Sequence, residues 1–452
     1  MSIVEKELPK GWVETTMDYI SNIITKGSTP TTYGFQYVEN GINFVKVENI
    51  INNKIDISSI TQFISDEANE YLKRSQLREQ DILFSIAGTI GRTAIVEKED
   101  LPANTNQAIA IIRCPWKFLE EKFIKIILDS PILFNSFSKN RRGVGMDNVS
   151  LGNIKDIQIP LPPLNEQKRI VSKIEELFSL VDSAKEILEK TQVLLKQYRQ
   201  SLLLEAISGK LTNNLQGKHN EIIKKQKFPT GWNVLSLKEV GEWNGGGTPS
   251  KSNAKFWENG VIPWISPKDM NKFEINDSID KITNDALENS SAKLIRSDSI
   301  LLVVRSGILK HTLPVAITNV DVSVNQDIKS ISPKKFIFSK YLFFVILGLR
   351  NDIRNVCSKN GTTVQSIEFP KLIQYSIPLP PLDEQKRIVT KIEESFSLIE
   401  KNEILIDQLL LQYKQMKNSI LKQAFEGKLV PQDPNDEPAE VLLQRIKEEK
   451  KK

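Results

Sequence analysis

The chain has 452 residues, 40% hydrophobic and 26% charged. It can therefore bury real cores, and at about one domain per 150 residues it should hold roughly three domains. Its 61 Lys and Arg against 56 Asp and Glu leave +5, a mild bias toward polyanions rather than a basic arm. The only cysteines, Cys114 and Cys357, and the only histidines, His219 and His311, exclude a disulfide scaffold and a cysteine-based zinc site.

The cysteine usage suits a reducing, cytoplasmic compartment. Met1 to Lys10 is charged and lacks an apolar centre, so no signal peptide is expected. The longest apolar stretch, Tyr341–Leu349, is far below the ~20 residues that span a bilayer, so no membrane partner is expected.

Residues 1–158 read as a mixed α/β head. Phe44–Val47, Ile82–Ser85, Thr93–Val96 and Ala108–Ile112 are strand-like, and Phe118–Leu128 is a helix candidate. Polar, glycine-containing loops lie between them. They offer Lys26, Ser28 and Thr29 around Gly27, Arg92 after Gly91, and Lys139, Arg141 and Arg142 before Gly143. Lys46 lies within the first strand-like run. Arg and Lys suit guanine edges, Asn and Gln suit adenine, and Ser and Thr suit phosphates.

At residues 159–182 a repeat begins. IPLPPLNEQKRIVSKIEELFSLVD is matched by IPLPPLDEQKRIVTKIEESFSLIE at 377–400, identical at 19 of 24 positions at an offset of 218. The match resumes at 201–212 against 419–430. Weaker echoes pair Gly11-Trp12 with Gly231-Trp232, Gly27-Ser28-Thr29-Pro30 with Gly247-Thr248-Pro249, and Asn106-Gln107 with Asn325-Gln326. The chain is thus two half-proteins in tandem. The Asn-Gln pairs recur in both halves, so they are expected to hold the heads together rather than read sequence.

In each copy the prolines forbid helix upstream, Asn165 or Asp383 is the expected N-cap, and Gly209 or Gly427 the expected C′ glycine. Between them apolar positions recur every 3.5 residues. The first copy gives Ile170, Ile174, Leu177, Val181, Ala184, Leu188, Thr191, Leu195, Tyr198 and Leu202. The second gives Ile388, Ile392, Ser395, Ile399, Asn402, Ile406, Leu409, Tyr413, Met416 and Ile420. Such a pattern predicts a coiled coil, about 50 Å long from Ile170 to Leu202. The two copies pair most simply with each other, antiparallel, about a pseudo-twofold. Asn402 on the seam either fixes register or is solvated.

Residues 213–227 are a polar linker, and 228–376 form the second head. Its helix candidate is Phe336–Leu347, and its loops offer Thr248, Lys251, Lys268, Arg305, Ser306, Lys310, His311, Lys359 and Thr362. Arg141-Arg142 and Lys310-His311 are the strongest candidates for direct contacts. After the second helical segment, 377–430, the tail 431–452 carries an amphipathic helix from Pro438 to about Lys447. No Gly-rich phosphate loop of the Walker type and no methyltransferase Asn/Asp-Pro-Pro-aromatic run is present. Glu166-Gln167-Lys168 and Glu384-Gln385-Lys386 fit a nuclease fragment, but they start helices without a partner acid, and a structural role explains them better.

The repeated I-P-L-P-P-L-(N/D)-E-Q-K-R-I-V segments resemble the specificity subunit of type I restriction–modification systems. So do the helices ending in Gly-Lys-Leu, the run Gly246-Gly247-Thr248-Pro249-Ser250, Ile262-Pro263-Trp264, and the tail Asp436–Leu443. The first head departs, with Asn43-Phe44-Val45 in place of Pro-Trp.

The resemblance implies an α+β chain of two α/β target recognition domains separated by the helices. Each domain would read one half of a split, asymmetric site on double-stranded DNA, and the helices would set the unread spacer. Two modification subunits, carrying S-adenosylmethionine, and restriction subunits, using ATP and Mg, would dock on it. The chain itself would be non-catalytic and hold no cofactor. The rivals are a specificity chain of another restriction class, a fused nuclease or methyltransferase, and a coiled-coil scaffold that binds no DNA.

Overall fold

The computed structural model describes residues 7–131, 133, 148–213, 227–359 and 365–451. It divides into two compact units that do not coincide with the two sequence repeats. The first is Met1–Leu188 with Gln408–Lys452; the second is Glu189–Asp407.

In the first unit a four-stranded antiparallel sheet runs in the order Ile23–Lys26, Ile109–Arg113, Ile82–Ser85, Thr93–Ile95. The strand Ile82–Ser85 is buried throughout. Ile82 and Phe84 face one apolar cluster and Leu83 another, because successive side chains point to opposite faces. That explains why the strand reads as an unbroken apolar run instead of an alternation. The helix Glu121–Asp129 buries Phe123, Ile124, Ile127 and Leu128 in the cluster shared with Ile82 and Phe84. A smaller sheet sets Ile42–Val45 between Phe63–Ile64 and Ala103–Thr105, and Val13–Thr16 pairs with Gln158–Leu161.

The second unit repeats this plan with additions. Its main sheet has five strands, ordered Gly241–Gly245, Ile328–Pro333, Ile300–Val303, Val315–Thr318, Glu274–Ile275. Asp280–Ile282, Ile262–Ile265 and Ser323–Val324 form the small sheet, and Asn233–Ser236 pairs with Ser376–Leu379. The helix expected over Phe336–Leu347 is Ser339–Cys357, with a longer buried face from Tyr341 to Leu349.

The duplicated segments form helices of 44 residues each, Leu164–Ile207 and Leu382–Phe425. Both begin one residue before the expected caps. The first helical hydrogen bonds run from Gln167 N to Pro163 O and from Gln385 N to Pro381 O, at 2.9 and 3.0 Å. Asn165 and Asp383 therefore lie inside the first turn, because a proline carbonyl closes that turn without needing a side-chain cap. Gly209 and Gly427 have φ of +80° and +66°, the left-handed backbone that ends a helix at C′.

Within each unit the two helices run antiparallel. In the first, Asp182 meets Tyr413 and Lys417, while Ile170 and Ile174 share a cluster with Ile420, Ala424 and Phe425. In the second, Gln192 meets Asp407, Arg199 meets Glu403, and Leu203 and Ile207 share a cluster with Ile388 and Ile392. The end of each repeat's helix thus packs with the head of the other repeat.

The expected seam needs correction in its middle. Ala184, Tyr198, Asn402, Leu409 and Met416 are exposed, and Arg199, Glu403 and Lys417 are half-buried instead. Steps of three and four persist, shifted by one residue. The long side chains turn inward because their charges find partners there. Arg199 bonds Glu403 at 2.9 Å with its guanidinium 5.2 Å from the Phe396 ring centre. Lys417, at the equivalent place in the other helix, bonds Asp182 and lies 4.7 Å from the Phe178 ring centre. Asn402 donates to Leu398 O of its own helix, so it takes no part in register.

The tail helix is Ala439–Glu449 and packs on the first unit. Ala439 N donates to Gly11 O at 2.9 Å, and Lys450 donates to the carbonyls of Asp18 and Tyr19. No helix is long and apolar enough to cross a membrane among the described residues.

Candidate nucleic-acid interface

Each head carries one loop that the sequence pattern had paired, and it is built the same way in both. Ser28 N donates to Thr105 O at 3.1 Å, and Gly247 N donates to Val324 O at 3.0 Å. A side chain on the residue before each donor would overlap that same carbonyl oxygen, so Gly27 and Gly246 are required by close backbone approach. The next threonine then reaches a glutamine on the neighbouring loop. Thr29 donates to Gln107 Oε1, and Thr248 donates to Gln326 Oε1 at 2.6 Å. Both glutamines are exposed, and each keeps its amide NH2 without another bond among the described residues.

Beneath them, Asn106 Oδ1 accepts from Ala108 N at 3.1 Å and Asn325 Oδ1 from Asp327 N at 3.0 Å. These asparagines hold a turn, while the glutamine side chains stand at the surface with the threonines.

The surroundings of the loop differ between heads. In the second, two indoles clamp it: Trp264 donates to Gly247 O at 3.0 Å and Trp257 to Ser250 O at 3.1 Å. In the first head Phe44 stands where Trp264 would, and a phenyl ring cannot donate. There Arg74 approaches Ser28 Oγ at 3.4 Å. Arg74 escaped the sequence reading because it follows a short helix rather than a glycine loop. The equivalent backbone bonds, Leu77 N to Ala103 O and Ile295 N to Val322 O, put the buried Ala292 at the place of Arg74 in the second head, so that head has no cation there. Arg74 is exposed.

The other expected contacts separate into three groups. Lys26, Lys251, Arg305, Lys310 and Lys359 are exposed, and their side chains make no bond with described residues. Others are engaged within the head. Arg92 donates to Val47 O and Ile50 O at 3.0 and 3.1 Å, so its guanidinium braces the fold and is only half-exposed. Lys268 pairs with Asp280 at 2.8 Å, and Lys46 lies 5.8 Å from the Tyr37 ring centre. Ser306 Oγ accepts from Ile308 N, capping a short turn, and the carbonyl of His311 accepts from Arg354. Lys139, Arg141, Arg142 and Thr362 lie outside the described residues.

Neither thiol is a nucleophile in waiting. Burial pushes Cys114 up to about 12 and Cys357 up to about 11, so both stay protonated at neutral pH. Among the described residues no three His, Cys, Asp or Glu side chains converge as a metal site.

The Glu-Gln of the repeated motif has a structural role in both copies. Trp12 donates to Glu166 Oε2 at 3.0 Å and Trp232 to Glu384 Oε2 at 3.1 Å. Gln167 Oε1 accepts from Glu120 N while its amide donates to Pro162 O. Gln385 does the same with Phe338 N and Pro380 O. The motif is a clamp between helix start and head.

Residues 9–193 and 229–420 match the family model described as type I restriction modification DNA specificity domain. The chain is 45% identical over 163 residues to the Escherichia coli type I restriction enzyme EcoR124I/EcoR124II specificity subunit, covering 36% of this chain and 40% of that one. It is 26% identical to the EcoKI specificity subunit of Escherichia coli K12, covering 98% of this chain and 96% of that one. The crystal structure of the HsdS subunit from Thermoanaerobacter tengcongensis aligns with a TM-score of 0.66 at 21% identity. That alignment covers 94% of this chain and 99% of the other.

Proposed function

The chain belongs to the type I restriction–modification DNA specificity family, and from that premise we propose that each head reads one half of a split DNA site. The chain is the recognition component of a type I restriction–modification system and works in company with that system's other subunits. The observation that carries the two-part reading is the loop at Thr29–Gln107 and Thr248–Gln326. Its backbone is the same in both heads, while its neighbours differ: Phe44 and Arg74 in one, Trp257 and Trp264 in the other. A shared frame with different side chains suits two readers of different half-sites. Glutamine amides suit adenine edges, and the free lysines suit phosphates.

On this reading the chain is non-catalytic. Two modification subunits would supply S-adenosylmethionine-dependent methylation, and restriction subunits would supply ATP-driven cleavage. The unread spacer is assigned to the two 44-residue helices.

Co-expression with the modification subunits and methylome sequencing tests it. Methylation should fall on a bipartite, asymmetric motif, and replacing Gln326 by Ala should relax or abolish only one half of it. A change spread over both halves, or methylation independent of this chain, overturns the reading.

A further inference from the structure

Glu166 and Glu384 hold the same place in the two copies, yet only one is fully bonded. Glu384 Oε2 takes the Trp232 indole, and its Oε1 takes Thr212 Oγ1 at 2.8 Å and Asn213 Nδ2 at 2.9 Å. Glu166 Oε2 takes the Trp12 indole, but its Oε1 is buried and has no partner among the described residues. The cause is in the sequence. At the repeat offset of 218, the counterparts of Thr212 and Asn213 are Val430 and Pro431, which offer no side-chain donor.

The residue itself is 2% exposed, and it lines a cavity of about 460 Å³. Around that cavity stand Asp433, Asp436 and Glu440, with Lys10 as the lining cation. Asp436 is engaged by Arg169 at 2.7 Å, and Asp433 by Asn435. A buried acceptor left without a donor destabilises the fold, so a donor that fits there is held firmly.

We propose that this cavity is a binding site for an alkylammonium or guanidinium group, received by Glu166 Oε1 in the place that Thr212 and Asn213 fill against Glu384. A cation suits it because the lining carboxylates outnumber the cations. A metal does not, because no three acidic side chains converge among the described residues. The group could come from a free polyamine or from a lysine or arginine of a partner subunit.

Calorimetric titration of the full chain with spermidine tests the first source, and assembly with the modification subunits, with and without spermidine, tests the second. Two variants are compared: Glu166→Gln, and the double change Val430→Thr with Pro431→Asn, which supplies internal donors and should not lower the Tm. One spermidine per chain, weakened more than tenfold by both variants with assembly unaffected, assigns a free amine. Assembly weakened more than tenfold by both variants, with or without spermidine competition, assigns a partner's side chain. If neither spermidine binding nor assembly responds to either variant, the proposal is overturned. The spermidine arm uses no DNA, so its failure leaves the recognition reading untouched.

Discussion

The Trp12 indole reaches Glu166 across 154 positions of chain at 3.0 Å, tying the start of the first head to the start of the first long helix. Because the Glu166 Oε1 has no partner among the described residues, this bond is the carboxylate's one hydrogen bond there, with only the nearby Arg169 charge beside it. The same indole bond to Glu384 is one of three. Trp12→Phe should therefore cost more than Trp232→Phe. About 1–3 kcal/mol is expected for the first, which leaves a buried carboxylate unpaired, and about 1 kcal/mol for the second. Denaturant unfolding of the full chain with each variant measures the difference. Equal losses would show that Glu166 is compensated some other way.

The tail is held partly by charge. Arg169 bonds Asp436 and keeps its carboxyl below the usual carboxylate range. A depressed folded-state pKa means that the contribution is complete above the unfolded value, near 4, and is lost as pH falls through the folded value. Asp436→Asn should thus lower stability at pH 7, by about 1 kcal/mol or less since Arg169 is partly exposed, and make little difference near pH 2. Burial instead pushes Glu166 up, so its ionisation opposes folding as pH rises past about 4. Thermal scans of the two proteins across pH 2–8 would show the Asp436 effect shrinking on the acid side. An unchanged gap at pH 2 would assign the loss to packing.

On the helical seam, Ile399 is buried and Asn402 is exposed with its amide on Leu398 O. Ile399→Ala should cost about 2–5 kcal/mol, the range for emptying a core position. Asn402→Ala should stay within about 0.5 kcal/mol, as surface changes do. Urea midpoints of both variants check the ranking. A large loss at Asn402 would restore it to the seam.

Much of this architecture is legible in the sequence because it is duplicated. Two copies of a proline-flanked, 3.5-periodic segment mark the helices and their antiparallel pairing, and the all-apolar strands stand out because both faces of the sheet are covered. Apart from the exposed Ala184, the seam keeps its expected phase as far as Leu195 and Ile399 and is not legible past them. There Arg199, Glu403 and Lys417 turn inward, and a charged residue reads as outward until its partner on the other helix is known. The role of Arg92 is hidden for a similar reason. A glycine loop with an arginine looks like a contact surface, and only the fold brings the carbonyls of Val47 and Ile50 to its guanidinium. The compact units are also unreadable from the repeats, since each takes the helix end of the other copy.

That contrast between braced and free cations gives a test of the interface. Lys251 and Lys310 are exposed with unbonded side chains, so as phosphate contacts each should add about one unit to the dependence of log affinity on log salt. Lys251→Ala or Lys310→Ala, in complex with the modification subunits, should weaken DNA binding, flatten that slope by about one, and leave the Tm unchanged. Arg92→Met should behave in the opposite way. It strands the Val47 and Ile50 carbonyls, lowering stability by about 1–3 kcal/mol, while the salt slope holds. Fluorescence anisotropy on a target duplex between 50 and 300 mM salt, beside thermal unfolding, separates the two. A slope that falls for Arg92→Met and stays for both lysine variants would move the interface to the other face of these loops.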